Sequence, residues 1–242
     1  MTLKKIRPHQ LVPLDIFEGI EPVKIDVVYK NADHKDNIFG KIYHDQARLW
    51  VFHDLALITI KAARIVKKRY GLNLLIYDSL RTVDSQKVMQ ETPIVKAHPE
   101  WMIEPRMLAP PGAGGHPRAM AIDLTLINHK GELVDMGTPF DGMEKSSWRH
   151  YKGLSDDILN NRKILEDAML EAARIFNLPL LPIPQEWWDF RFPPETYNQY
   201  APLSDADLPP QMRMTTREGP DIEDLPPTAF ENLKKDILQS LN

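Results

Sequence analysis

The sequence predicts an α+β domain, a small antiparallel sheet with flanking helices, on three observations. Two long stretches carry apolar residues at helical spacing, three separated segments read as strands, and the polar residues of chemical interest fall on the later strands and the loops. From Asp45 to Tyr70, Leu49, Phe52, Leu55, Ala56, Ile60, Ala63 and Val66 recur at three and four, and Gly71 is a natural stop. That spacing predicts one long helix packed on the sheet.

Leu72 to Tyr77 is a short apolar run that ends in Asp78-Ser79, a buried strand whose far end delivers Arg81 to a rim. Thr82 is placed to cap a helix through Val83 to Gln90. Residues 93–115 form a long connection rich in Pro and Gly, a loop length that is usually functional or mobile. In Ala121 to Ile127 the alternation turns Ile122, Leu124 and Leu126 to the core and Asp123 and Thr125 to the other side. Asn128-His129-Lys130-Gly131 is turn chemistry, with Glu132 to Val134 expected to return as a partner strand. Ser155 or Asp156 opens a second long helix that ends near Asn177, and the aromatic Glu186 to Phe192 follows as a strand stopped by Pro193-Pro194.

The expected division is a domain over residues 1–200, with residues 1–20 as an N-terminal arm, and a tail over 201–242. The tail is an acidic, Pro-rich linker followed by a helix opened by a capping box at Thr228 to Glu231. Phe230, Leu233, Ile237, Leu238 and Leu241 would dock that helix on its own domain or join two chains as a homo-oligomer.

Composition excludes several classes. A formal charge of −4 with dispersed Lys and Arg gives no nucleic-acid footprint, and no stretch nears the roughly 20 apolar residues of a membrane span. The absence of cysteine excludes disulfide scaffolds, thiolate metal sites and Cys nucleophiles. Met1 to His9 is basic without an apolar stretch behind it, so the expected compartment is the cytoplasm, or the periplasm if a leader was removed.

Two segments carry chemistry. His116 follows a glycine-rich loop and precedes Asp123, an aspartate in an otherwise apolar strand, by seven residues; a metal ion is one of the few partners that can offset the desolvation of such a carboxylate. Catalytic zinc sites take three protein ligands and leave a fourth position open, so one more is needed, and Glu186 and Asp189 are the candidates. Positions three apart point to opposite faces of an ideal strand, so both serve one site only if the start of that strand is bent or bulged.

These residues resemble the D-alanyl-D-alanine dipeptidases of the VanX type, among the zinc D,D-peptidases of hedgehog-like fold. The resemblance is carried by His116…Asp123-Leu124-Thr125-Leu126, Glu186-Trp187-Trp188, Arg81, Phe140-Asp141-x-Met143, and Asn37-Ile38-Phe39-Gly40 with Tyr43, in family order over residues 25–192. It implies one zinc ion per chain held by His116, Asp123 and Asp189, with Glu186 as general base and Arg81 as oxyanion stabiliser. Asp141 would contact the ammonium of a small dipeptide, and the reaction would be hydrolysis of D-alanyl-D-alanine in cell-wall peptidoglycan metabolism. A D,D-carboxypeptidase acting on peptidoglycan stem peptides is the competing enzyme, and a non-catalytic peptide-binding module the competing class. The sequence departs from the family pattern twice: Asp189 stands where the third ligand is a histidine, and Gly114 where serine is common.

Overall fold

The computed structural model describes residues 2–241. Strands β1 (Leu11–Pro13), β2 (Val23–Ile25) and β3 (Trp50–Phe52) lead into helix α1 (His53–Tyr70) and strand β4 (Asn73–Asp78). Helices α2 (Val83–Gln90) and α3 (Pro93–Ala97) precede β5 (Ala121–Ile127) and α4 (Asp156–Ile175). The chain then forms β6 (Leu181–Pro182), β7 (Asp189–Arg191), α5 (Pro194–Tyr197) and α6 (Pro227–Ser240). The main sheet has the order β2-β4-β5-β7-β6, and β1 pairs with β3 in a separate ribbon.

The α+β class holds, with one departure from a purely antiparallel sheet: β2 runs parallel to β4. Register divides the two faces. Leu74 stands opposite Leu126, Ile76 opposite Leu124 and Ile122 opposite Phe190, all fully buried. They form the apolar face, α1 packs against β4, and α1 and α4 pack on each other. The helices keep their expected apolar stripes because Leu55, Ala56, Ile60 and Ala63 of α1 and Leu165, Ala168, Met169 and Ala172 of α4 are buried.

Several boundaries moved. The long helix begins at His53 rather than Asp45, because Trp50–Phe52 pair with Leu11–Pro13, and the aromatic and β-branched character of that triplet is satisfied by the ladder. Thr82 caps α2 by accepting from the Ser85 amide, as expected, and Ser155 caps α4 by accepting from that of Ile158. The expected strand over Glu132 to Val134 reduces to a single bridge between Ile127 and Leu133. The last helix starts at Pro227 with Pro226 as its cap, so the Thr228 capping box does not form; proline at the first helical position needs no amide partner.

The segment after residue 200 is anchored rather than loose. Buried Asp205 accepts from the amides of Met214 (2.9 Å) and Thr215 (3.0 Å) and from the Thr215 hydroxyl. Helix α6 lies against β1 and α1, with Ile237 and Leu241 buried and Phe230 packed at a tilt on Trp50, 5.8 Å between ring centres. Its own chain buries Ile237 and Leu241, while Phe230, Leu233 and Leu238 stay partly buried. Replacing Ile237 by alanine is expected to cost about 2–4 kcal/mol of unfolding free energy, read as a lowered midpoint in urea. No helix among the described residues is long and apolar enough to cross a membrane.

Candidate active site

On the opposite face of the sheet three aspartates stand side by side across neighbouring strands. Asp78 of β4 is paired with Asp123 of β5, which is paired with Asp189 of β7. A register shift between Ile76 and Asp78 brings Asp78 into this row. All three are essentially inaccessible to solvent. Like charges directly opposite one another destabilise a sheet, so the row requires cations.

Four cationic or ionisable side chains supply part of that requirement. Arg81 donates to Asp78 Oδ2 from Nε (2.9 Å) and Nη2 (2.7 Å), and Tyr43 donates to the other oxygen of Asp78 at 2.6 Å. Arg191 forms a two-pronged pair with Asp189, Nε on Oδ1 at 2.7 Å and Nη2 on Oδ2. His116 sits between the strands: Nδ1 is 2.7 Å from the carbonyl of Ser79, and Nε2 is 3.2 Å from Asp189 Oδ2 and 3.6 Å from Asp123 Oδ2. Gly115 makes this approach possible, since a Cβ there would meet the Met120 carbonyl at 2.8 Å.

Glu186 and Asp189 do reach one site although they are three apart. Strand β7 begins only at Asp189, and Glu186 precedes it in a bend, so the expected strand from Glu186 shortens to three residues. Arg149 holds that bend. Its side chain is buried over the Phe190 ring and donates to the carbonyls of Ile183 (3.1 Å), Glu186 (2.9 Å) and Asp189 (2.8 Å). Trp187 faces away and donates to Thr138 at 2.9 Å, while Trp188 packs edge-on to Phe140 at 5.6 Å. Asp141, in the left-handed region at φ 55°, accepts from the Tyr29 hydroxyl at 2.7 Å. A non-glycine residue held there is a strain found at functional positions, and Asp tolerates it better than most.

Arg81, His116, Asp123, Asp141, Glu186, Trp188 and Arg191 line one cavity of about 510 Å³. Asp189 does not line it but touches His116, so the residues singled out as catalytic, substrate-binding or metal-ligating lie together. Asp78, Arg149, Arg191 and Tyr29 were not singled out. The signal for two of them is spacing: Asp78 and Arg81 are three apart at a strand end, and Asp189 and Arg191 share one face of a strand.

Electrostatics matches this crowding. Burial, then the nearby Asp189 carboxylate, pushes Glu186 up to about 8. Burial lifts Asp141 to about 7, against the pull of Arg81. Burial also raises Asp123, against the pull of His116. Asp189 goes the other way: burial opposes ionisation, but Arg191 outweighs it and holds the carboxyl well below the usual range. For His116, burial would remove the proton and Asp123 retains it, up to about 10. The cluster thus keeps a positive charge between Asp123 and Asp189.

A metal ion fits that place. One oxygen of Asp123 is buried with no hydrogen-bond partner among the described residues. The Ser79 carbonyl engages Nδ1 of His116 and leaves Nε2 facing the carboxylates, the usual arrangement behind a ligating imidazole. Candidate ligand atoms of Asp123, Glu186 and Asp189 lie within 4.8 Å of one another. The separations of His116 Nε2 from Asp189 and Asp123 match those of ligands around a tetrahedral ion with bonds of roughly 2.0–2.2 Å. Asp189 keeps lone pairs beyond those that Arg191 uses.

A buried histidine and two carboxylates, a third carboxylate in a bend and a fixed guanidinium define the site of a metal-dependent hydrolase. Comparison with known proteins agrees. The family model described as D-ala-D-ala dipeptidase matches residues 10–205. A D-alanyl-D-alanine dipeptidase of Escherichia coli is 30% identical over 179 residues, 74% of this chain and 81% of that protein. Those of Enterococcus faecalis and Enterococcus faecium are 34% and 36% identical over 95 and 91 residues, covering 42% and 40% of their own lengths. The chain belongs to the D-ala-D-ala dipeptidase family of metallopeptidases.

Proposed function

We propose that the chain hydrolyses D-alanyl-D-alanine, or a closely similar D,D-dipeptide, to free amino acids with one zinc ion held by His116, Asp123 and Asp189. The observation that carries this reading is the Asp123–Asp189 pair across β5 and β7, with His116 Nε2 between them and Glu186 in the same cavity. Membership of a family described by that activity supports the substrate. When bound, zinc would polarise the scissile carbonyl and make water more acidic.

The chain's own groups do the rest. Glu186 takes a proton from the attacking water and returns it to the leaving amine, a role suited to a carboxyl in the same cavity as the metal ligands. Arg81, held on Asp78 and lying 5.2 Å over the Tyr29 ring, cannot swing away and stabilises the charge that develops on the carbonyl oxygen. Asp141 receives the substrate's ammonium, whose charge favours the ionised carboxylate that burial disfavours.

The test is metal-free protein reloaded with zinc, assayed for alanine release from D-alanyl-D-alanine with L-alanyl-L-alanine as control. Zinc-dependent release from the D,D compound alone is the expected result. Equal release from both, or none from either by folded protein, would reject the substrate assignment.

A further inference from the structure

We propose that Arg191 is the receptor for the substrate's C-terminal carboxylate and sets the preference for a free carboxyl end, an inference that rests on the dipeptidase reading above. A dipeptide brings one negative end into the cavity, which offers three guanidinium groups to meet it. Arg81 already spends Nε and Nη2 on Asp78 and directs Nη1 at Met89 Sδ, 3.8 Å away. The Arg106 side chain is 45% exposed and donates Nε to the Met102 carbonyl beside Glu104, so water and its neighbours satisfy it.

Arg191 differs from both. Its side chain is only 17% exposed, and Asp189 fixes its plane by engaging Nε and Nη2. Nη1 has no hydrogen-bond partner among the described residues and stands 3.6 Å from where a Cβ on Gly114 would be. A guanidinium has five donors in a fixed fork, and the Nη1 donors that Asp189 does not engage are open to the cavity. The arrangement therefore presents a rigid, charged, unfilled donor edge to the cavity. Gly114, at φ +84°, leaves open the space beside it that a side chain would fill.

Position agrees with chemistry. Arg191 lies on β7, while Asp141 accepts from Tyr29, whose turn contacts β4, so the two groups line the same cavity on either side of β5. Strands are spaced about 4.8 Å apart, and an extended residue spans about 3.3–3.6 Å, so a two-residue zwitterion laid across β5 is of the length needed to reach side chains from the strands on either side of it. The departures at Gly114 and Asp189 then meet in one side chain: Asp189 orients Arg191, and Gly114 gives its free edge room.

The experiment compares D-alanyl-D-alanine with D-alanyl-D-alaninamide, which lacks the carboxylate, on zinc-loaded wild type, Arg191→Gln and Arg191→Lys. The quantity read is the ratio of kcat/KM for acid over amide, with zinc content measured on each preparation. The ratio is taken within one preparation, so partial metal loss cancels. The wild type is expected to favour the acid by about 30-fold or more, as loss of one partner of a buried charge pair implies. Arg191→Gln is expected to bring the ratio to near one, chiefly through KM, and Arg191→Lys to restore part of it. Where a variant turns over too slowly, calorimetric binding of the two compounds to the zinc-loaded variant supplies a ratio of Kd values, in which the acid preference should likewise fall to near one. An acid preference that persists in Arg191→Gln overturns the assignment while leaving the dipeptidase reading intact. Absence of wild-type turnover on both compounds overturns the dipeptidase reading and the assignment with it.

Discussion

Replacing Glu186 by glutamine is expected to lower kcat on D-alanyl-D-alanine by roughly 10²–10⁴-fold, the range typical of a lost general base, with KM changed far less. The amide fills the same space in the bend but cannot accept the proton of the attacking water. His116, Asp123 and Asp189 are untouched, so zinc content measured by chelator competition should equal that of the wild type. A variant that kept full turnover would remove Glu186 from the scheme and make Asp141, which burial lifts to about 7, the next candidate for the base.

The second large effect is expected at Arg149, far from the reacting atoms in role though not in place. Arg149→Met keeps the apolar stem against Phe190 but withdraws the donors from the part-buried carbonyls of Ile183 and Glu186 and from the buried carbonyl of Asp189. Unsatisfied buried acceptors cost about 1–3 kcal/mol each, and Glu166, 3.6 Å from the guanidinium, loses its counter-ion as well. Burial already works against the Arg149 charge, lowering it to about 10, so part of the loss is recovered when that charge is removed. The net expectation is a loss of about 3–5 kcal/mol, which for a chain of this size lowers Tm by roughly 10 °C in a calorimetric scan. Activity at 25 °C should fall too, because the same three bonds position Glu186.

How much of this was legible in the sequence depends on the range of the interaction concerned. Caps are local, and Thr82 and Ser155 sit where their hydroxyl chemistry predicts. Alternation is local, and it correctly sent Asp123 to the face opposite Ile122 and Leu124. Trp50–Phe52 misled because a helix-like spacing was overruled by pairing with a strand some forty residues earlier. The row formed by Asp78, Asp123 and Asp189 was out of reach for the same reason: register between strands is fixed by distant partners and here by a bulge before Asp78. Asp189 looked like an isolated loss of a histidine while Arg191, two positions on, went unweighed. Together they are a neutral pair where a neutral ligand is expected, which leaves the charge around His116 much as it would be with a histidine in that position.

The seat of α6 on β1 has a consequence for how the chain comes into being. Synthesis proceeds from the N-terminus, and nascent domains generally fold as units once their parts are available. β1 begins at Leu11 and its apolar cover ends at Leu241, so the two partners emerge almost a whole chain apart. Until residue 241 leaves the ribosome, Trp50 and its neighbours lack their lid, and the nascent chain carries an apolar patch that chaperones can recognise.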